Sequence, residues 1–415
     1  MTMEAQASVV ASYGLREKIV REFFAAHAGR LARVCHSMAR RFARGGRLIA
    51  FGTGAAVTDA QHVSVEFVHP VIVGKRALPA LALPNDVPSA LGLAVRDPAG
   101  FVARQLEIAG RPEDIALGMV HSVSEPGSDA VSAALKQAAS MGMLTVFLCG
   151  PDGEGAAAGS FAVPCDDPFV VQEVHETLYH VLWELVHVFF EHKGLLEDRA
   201  EGRSHDTGRS AFLYPFLAEA EKDLDRVLGE VEGSILQKAE DVVGMRAASR
   251  DTEGLAETAR LVEERIEAGG KVLAFGNGGS ATDAQDLVGD LVVPPGDMHP
   301  IPAISLTNDA AVVTAVGNDV GFDNVFARQV IAYGREPDVA VAISTSGGSR
   351  NVLAALEEAS RRGLLTVGLS GYGGGPQADA CERAHVIDAD YIPRIQEAQA
   401  TQYHVLRGLL TERPS

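Results

Sequence analysis

Cysteine is scarce in this chain, and its four copies, Cys35, Cys149, Cys165 and Cys381, form no CxxC pair. That scatter provides neither a disulfide framework nor a cysteine metal cage, and it fits a reducing cytosol. Positive charge is short as well: 36 Lys and Arg face 55 Asp and Glu, a formal charge of −19 at pH 7. Such a balance repels nucleic acid and acidic membrane surfaces, so neither is an expected partner. No uncharged apolar run reaches the about 18 residues of a membrane span. The opening stretch MTMEAQASVVASYGLREK has no basic region followed by a long apolar core. The expectation is a cytoplasmic protein in which any phosphate ligand is held by local backbone dipoles.

What is present is a repeat. At 415 residues, with 47% hydrophobic and 22% charged, the chain has room for two globular domains, each with a core of its own. Residues 275–292, FGNGGSATDAQDLVGDLV, echo residues 51–68, FGTGAAVTDAQHVSVEFV. An offset of 224 relates Gly45 to Gly269, Phe51 to Phe275, Asp59 to Asp283, Gln172 to Gln396 and His180 to His404. Small drifts between these anchors, such as 223 for Asp86 and Asp309, read as loop insertions in a tandem duplication. Copy 1 spans 10–195 and copy 2 spans 213–412. The polar, glycine-containing stretch over 196–212 reads as an exposed linker.

Within copy 2, the short apolar runs KVLAF, IPAISL, VAVAIS, LLTVGLS and HVIDA are expected to be buried strands of a parallel sheet. Segments of helical periodicity separate them, among them TDAQDLVGDLV, SRNVLAALEEASRRG and RIQEAQATQYHVLRGLL. This alternation predicts a doubly wound α/β domain, written twice. Two strand-to-helix turns carry glycine and hydroxyl groups: Gly276-Asn277-Gly278-Gly279-Ser280, and Ser344-Thr345-Ser346-Gly347-Gly348-Ser349. Backbone N–H groups left open at a helix N-terminus attract anions, and glycine lets the ligand approach them. One such turn can be a plain helix cap. Two on one sheet edge point to a phosphate pocket made by Asn277, Gly278, Gly279, Ser280, Ser344, Thr345, Ser346 and Ser349.

The ordered motifs GNGGSATDAQ, LTNDAAVVTAVGNDVGFDNVFARQV, ISTSGGSRNVLAALEEA and RIQEAQATQYHVL resemble the sugar isomerase (SIS) domain family, most of all its phosphoheptose isomerase branch. The resemblance covers nearly all of copy 2 and, more weakly, copy 1. It implies two flavodoxin-like domains in tandem, a small-molecule sugar phosphate as ligand, and interconversion of sedoheptulose 7-phosphate and D-glycero-D-manno-heptose 7-phosphate. It also implies a Zn²⁺ site. Carried onto copy 1, that site is His62, Glu66, Gln172 and His180, with Glu66 and His180 also moving protons. The matching positions of copy 2 are Asp286, Asp290, Gln396 and His404, so the imidazole is lost and the carboxylate is shortened, a poorer donor set for zinc. Asp86 and Asp309 match a substrate-orienting aspartate and are further catalytic candidates.

The phosphate turns show the opposite loss. In copy 1, Gly52-Thr53-Gly54-Ala55-Ala56 stands for GNGGS, and Val123-Ser124-Glu125-Pro126-Gly127-Ser128 for STSGGS. A carboxylate repels a phosphate dianion, and Pro126 removes a backbone donor. The expectation is an aldose–ketose isomerase whose site combines phosphate binding from copy 2 with metal and catalytic groups from copy 1. The alternative is a non-catalytic phosphosugar-binding regulator. A homodimer imitating a tetramer of SIS domains is expected. His175 and Glu176 are spare ligand candidates on the helix of His180, while His69, His121 and His385 read as ordinary surface or core residues.

Overall fold

A computed structural model describes residues 2–71, 75–151, 153, 159–192, 195–196 and 223–410. The expected linker, apart from Leu196, and residues 213–222 lie outside the described residues. In chain order the first copy runs α1 (Thr2–Ala43), β1 (Leu48–Gly52), α2 (Ala56–Val68), β2 (Ala80–Ala82), α3 (Val87–Ala94), α4 (Phe101–Ala109), β3 (Ile115–Met119), α5 (Ser128–Ser140), β4 (Leu144–Cys149), β5 (Gly159–Ala162) and α6 (Pro168–Glu191). The second begins with α7 (Leu224–Ala248) and α8 (Thr252–Glu267). It continues β6 (Val272–Phe275), α9 (Gly279–Val292), β7 (Ala303–Ser305), α10 (Ala310–Asp319), α11 (Val325–Tyr333) and β8 (Val339–Ser344). It closes with α12 (Arg350–Arg361), β9 (Leu365–Ser370), α13 (Gly375–Ala380), β10 (Arg383–Val386) and α14 (Ile392–Leu409). The chain divides into two compact units, 19–240 and 1–18 with 241–415, so the division falls inside α1 and inside α7.

Each unit holds one five-stranded sheet, with strand orders β2-β1-β3-β4-β5 and β7-β6-β8-β9-β10, and every pairing is parallel. This 2-1-3-4-5 order is the flavodoxin-like one, in which ligands bind beyond the carboxyl ends of the strands where the order reverses. The reversal lies between β1 and β3, and between β6 and β8. Leu48 pairs with Ile115 and Val272 with Val339, so the offset of 224 is also the structural register. All five expected strands of copy 2 are present, the last starting two residues earlier than HVIDA suggests.

The inner strands β1, β3 and β6 are apolar and buried throughout because both faces of the sheet are covered. Val339, Val341 and Ile343 of β8 face one core with Leu287 and Tyr403, brought by α9 and α14. Ala340 and Ala342 face the other core, with Val352 and Leu356 of α12 and Phe326 of α11. The period-2 alternation of a strand thus sorts one apolar run into two cores. Buried thiols share this environment: burial pushes Cys35, Cys149 and Cys381 up to about 12.

Candidate functional site

In copy 2 the chain leaves β6 through Gly276 and turns at Gly278, whose φ is 58° and ψ −126°, before α9 begins. Ser280 is buried in the first turn of that helix. The second turn follows β8. The Ser344 hydroxyl lies 3.4 Å from those of Ser346 and Ser349, and Ser346 Oγ accepts from the Gly348 N–H at 3.3 Å. Ser349 occupies the N-cap of α12 without capping it by its side chain. The two turns are tied together by a reciprocal amide pair. Asn277 donates to Asn351 Oδ1 at 2.9 Å, and Asn351 donates back to Asn277 Oδ1 at 2.8 Å. Asn351 escapes sequence reasoning, since only the meeting of two turns 74 residues apart reveals it.

A third glycine-rich stretch backs the second turn, where Gly347 O accepts from the Gln377 N–H at 3.0 Å. Gly347 has φ of 60°, and a Cβ there would collide with the Gly374 carbonyl oxygen. Gly347→Ala is therefore expected to strain and displace this turn and, on the expectation that the turn holds phosphate, to weaken sugar-phosphate binding by about 10-fold or more. Gly348→Ala, whose Cβ would meet nothing closer than Ser346 O at 3.8 Å, is expected to bind normally in the same calorimetric titration.

The copy 1 turn has a different lining. Ala55 stands at the N-cap of α2 and offers no side-chain acceptor or donor. Above it opens a cavity of about 350 Å³ lined by Phe51, Val57, Leu83, Val87, Leu91 and Phe101 among others. The turn after β3 is also longer than expected. The common register sets Val120, not Val123, at the position of Ser344, so His121 stands where copy 2 has Thr345. Glu125 is drawn inward: its Oε1 accepts from the His121 N–H at 3.3 Å, and burial raises its carboxyl above the usual range.

Helices α2 and α6 gather His62, Glu66 and His180, all buried, with one ligand atom from each lying within 4.8 Å of the others. His62 and Glu66 share a helix face because they are four apart, and His62 Nε2 is 3.8 Å from Glu66 Oε1. His62 Nδ1 shares a hydrogen bond with the Tyr179 hydroxyl at 3.1 Å. Burial, followed by the neighbouring His180, holds His62 well below its ordinary value, so its imidazole is neutral and keeps a lone pair for a cation. Gln172 is buried two turns earlier on α6. This donor set, two imidazoles and a carboxylate with one ring nitrogen already oriented by a partner, fits a borderline divalent ion such as Zn²⁺.

Copy 2 repeats the arrangement in altered chemistry. Asp286, Asp290 and His404 also bring ligand atoms within 4.8 Å of one another. His404 Nε2 is 3.3 Å from Asp286 Oδ2 and 3.4 Å from Asp290 Oδ2, and the Tyr403 hydroxyl donates to Asp286 Oδ2 at 2.8 Å. Gln396 is buried on the same helix. The orienting tyrosines were missed, although the tetrapeptide YHVL, shared by both copies, carries the signal. Asp86 and Asp309 are exposed N-caps, accepting from Ser89 N at 3.3 Å and Val312 N at 3.0 Å. His385 is a core residue bonded to Thr258 at 3.0 Å. His121 is a core residue, one of the two expected alternatives, but it has close partners in Asp59 and His175; one expectation needs correction, since His175 stands with Asp59 and His121 rather than with His62, Glu66 and His180.

Comparison with known proteins bears on this architecture. The family model described as SIS domain matches residues 16–150 and again 238–371. The chain belongs to the SIS domain family. The phosphoheptose isomerase of Rhodospirillum rubrum is 44% identical over 162 residues, which are 38% of this chain and 85% of that protein. That of Geotalea daltonii is 41% identical over 181 residues, 43% of this chain and 91% of that protein. The C-terminal domain of glucosamine-fructose-6-phosphate aminotransferase from Francisella tularensis aligns over 97% of this chain and 95% of its own, with TM-score 0.59 and 8% identity. The first two are each about the length of one SIS copy, whereas the third shares the tandem fold alone.

Proposed function

We propose that the protein is a phosphosugar aldose–ketose isomerase acting on sedoheptulose 7-phosphate, with phosphate held at copy 2 and proton transfer at copy 1. The observation that carries the reading is the division of chemistry between the copies. The hydroxyl-rich turns tied by Asn277 and Asn351 belong to copy 2, and the two-histidine, one-carboxylate group belongs to copy 1. The likeness to phosphoheptose isomerases supports the choice of reaction.

In this mechanism, backbone N–H groups of the two copy 2 turns and the hydroxyls of Ser280, Ser344, Thr345, Ser346 and Ser349 receive the phosphate. Glu66 removes a proton from C1 of the ketose and returns it to C2, the carbon of the original carbonyl. His180 moves a proton between the O1 and O2 positions, so that the C2 carbonyl becomes a hydroxyl as C1 becomes the aldehyde. Zn²⁺ held by His62, Glu66, Gln172 and His180 would polarise the substrate carbonyl. Asp86 or Asp309 has one carboxylate oxygen beyond its capping bond with which to orient a sugar hydroxyl.

A second reading rests on the grouping of Asp286, Asp290 and His404, which gives copy 2 a candidate cation group alongside its phosphate turns. Turnover of sedoheptulose 7-phosphate by the full chain, with and without added zinc, separates the readings. With groups from both copies, His180→Ala and Ser346→Ala each lower turnover while Asp290→Asn does not. If copy 2 works alone, Asp290→Asn abolishes turnover and His180→Ala leaves it intact. Binding without turnover, weakened only by Ser346→Ala, would make the protein a phosphosugar sensor and overturn both.

A further inference from the structure

Three residues of copy 1 that the isomerase reading does not use meet in its interior. Asp59 lies in the first turn of α2, His121 follows β3, and His175 lies in the middle of α6. They are 2%, 3% and 0% exposed, and one ligand atom from each lies within 4.8 Å of the others. His121 Nε2 is 2.7 Å from Asp59 Oδ2, and the His121 and His175 ring centroids are 5.7 Å apart. His175 directs Nε2 to the Cys149 carbonyl at 3.4 Å, and its Nδ1 is buried with no hydrogen-bond partner among the described residues. A bare imidazole nitrogen in the core costs about 1–3 kcal/mol unless something fills its lone pair.

The second copy supplies an internal comparison. At the offset of 224 it keeps the aspartate as Asp283 but has Thr345 and Gln399 where copy 1 has His121 and His175. Both changes put an imidazole beside the same carboxylate. Hydrogen bonding alone asks for only one histidine there, since Asp59 already has His121. We propose that Asp59, His121 and His175 form a second divalent-cation site in copy 1, separate from His62, Glu66 and His180 and suited to a borderline metal such as Zn²⁺ or Co²⁺. The donor set is two imidazole nitrogens and one carboxylate oxygen, with the Cys149 carbonyl fixing the far nitrogen of His175 as an outer partner. A tetrahedral ion with bonds of about 2.1 Å separates its ligands by about 3.4 Å. The cation takes the place of the hydrogen bond between His121 Nε2 and Asp59 Oδ2, so the pair opens by a fraction of an ångström. Glu125, held at the His121 N–H, and Cys149, whose carbonyl meets His175, are further ionisable groups beside the cluster.

The test uses the full chain, stripped with chelator and dialysed against Co²⁺. His121→Ala and His175→Ala are each expected to bind one equivalent fewer than the unaltered protein, and His62→Ala to lose a different one, so that His62→Ala with His175→Ala loses two. Anomalous diffraction at the zinc edge from crystals of the unaltered protein soaked in Zn²⁺ is expected to give a peak among Asp59, His121 and His175. This readout needs no variant to fold. Equal Co²⁺ stoichiometry in the unaltered, His121→Ala and His175→Ala proteins would overturn the site, and so would a zinc-edge map without that peak.

Discussion

Under the proposed mechanism, Glu66→Gln is expected to lower kcat for sedoheptulose 7-phosphate by about 10²- to 10⁴-fold, the span over which a positioned general base contributes. That factor corresponds to about 3–5 kcal/mol of transition-state stabilisation. The substitution keeps the side chain's length and volume, so the buried wall of α2 around it, where Glu66 is 2% exposed, has no cavity to relax into. What it removes is the carboxylate 3.8 Å from His62 Nε2, the proton acceptor of the proposed mechanism. A lost metal ligand and a lost base are separated by two further readouts. Zinc content is measured on the purified variant, and solvent deuterium at C2 of the product reports proton transfer. Normal zinc with no turnover and no exchange assigns the base role. A kcat within a few-fold of the unaltered enzyme would remove Glu66 from the mechanism.

Asp338→Ala is expected to destabilise its unit by about 3–5 kcal/mol, the cost of removing one partner of a buried ion pair. Asp338 is 0% exposed and accepts from the Lys271 N–H at 3.0 Å, the Arg335 N–H at 3.0 Å and the Lys271 ammonium at 2.5 Å. Those bonds fasten the loop before β6 to the loop before β8, the two strands from which the glycine- and hydroxyl-rich turns leave. Copy 1 has the same device. Asp114, 1% exposed, accepts from Arg47 N at 2.8 Å, Arg111 N at 3.0 Å and Arg47 Nη2 at 2.6 Å. Asp338→Ala strands two backbone donors, the Lys271 and Arg335 N–H groups. The urea midpoint of each variant, followed by circular dichroism, is the measurement. A shift equivalent to less than about 1 kcal/mol in both Asp114→Ala and Asp338→Ala would mean that the loops hold their register without these carboxylates.

Much of the site was legible because it is local. Gly278 must turn before α9, and Ser344 to Ser349 must sit between a strand and a helix, whatever the rest of the chain does. His62 and Glu66 are four apart on a helix, so their shared face follows from 3.6 residues per turn. Gln172 and His180 were found through resemblance and through the offset of 224 rather than through any local pattern. The alignment of the copy 1 turn failed because residues were counted across an insertion. Only strand pairing, Leu48 with Ile115 and Val272 with Val339, fixes the point where copy 1 lengthens.

The sequence by itself determined the duplication, the parallel α/β class, the strands and most of their bounds, and the contrast between a hydroxyl-rich and a histidine-rich copy. Each of these is written in periodicity or in residue type at fixed spacing. Only the tertiary structure decided which distant side chains meet. Tyr179 reaches His62 and Tyr403 reaches Asp286 across 117 residues, Asn277 clasps Asn351 across 74, and His121 finds Asp59 across 62. Such meetings depend on how helices pack over a sheet whose strand order reverses. Packing free energy is spread over many apolar contacts, so no short stretch of sequence encodes them.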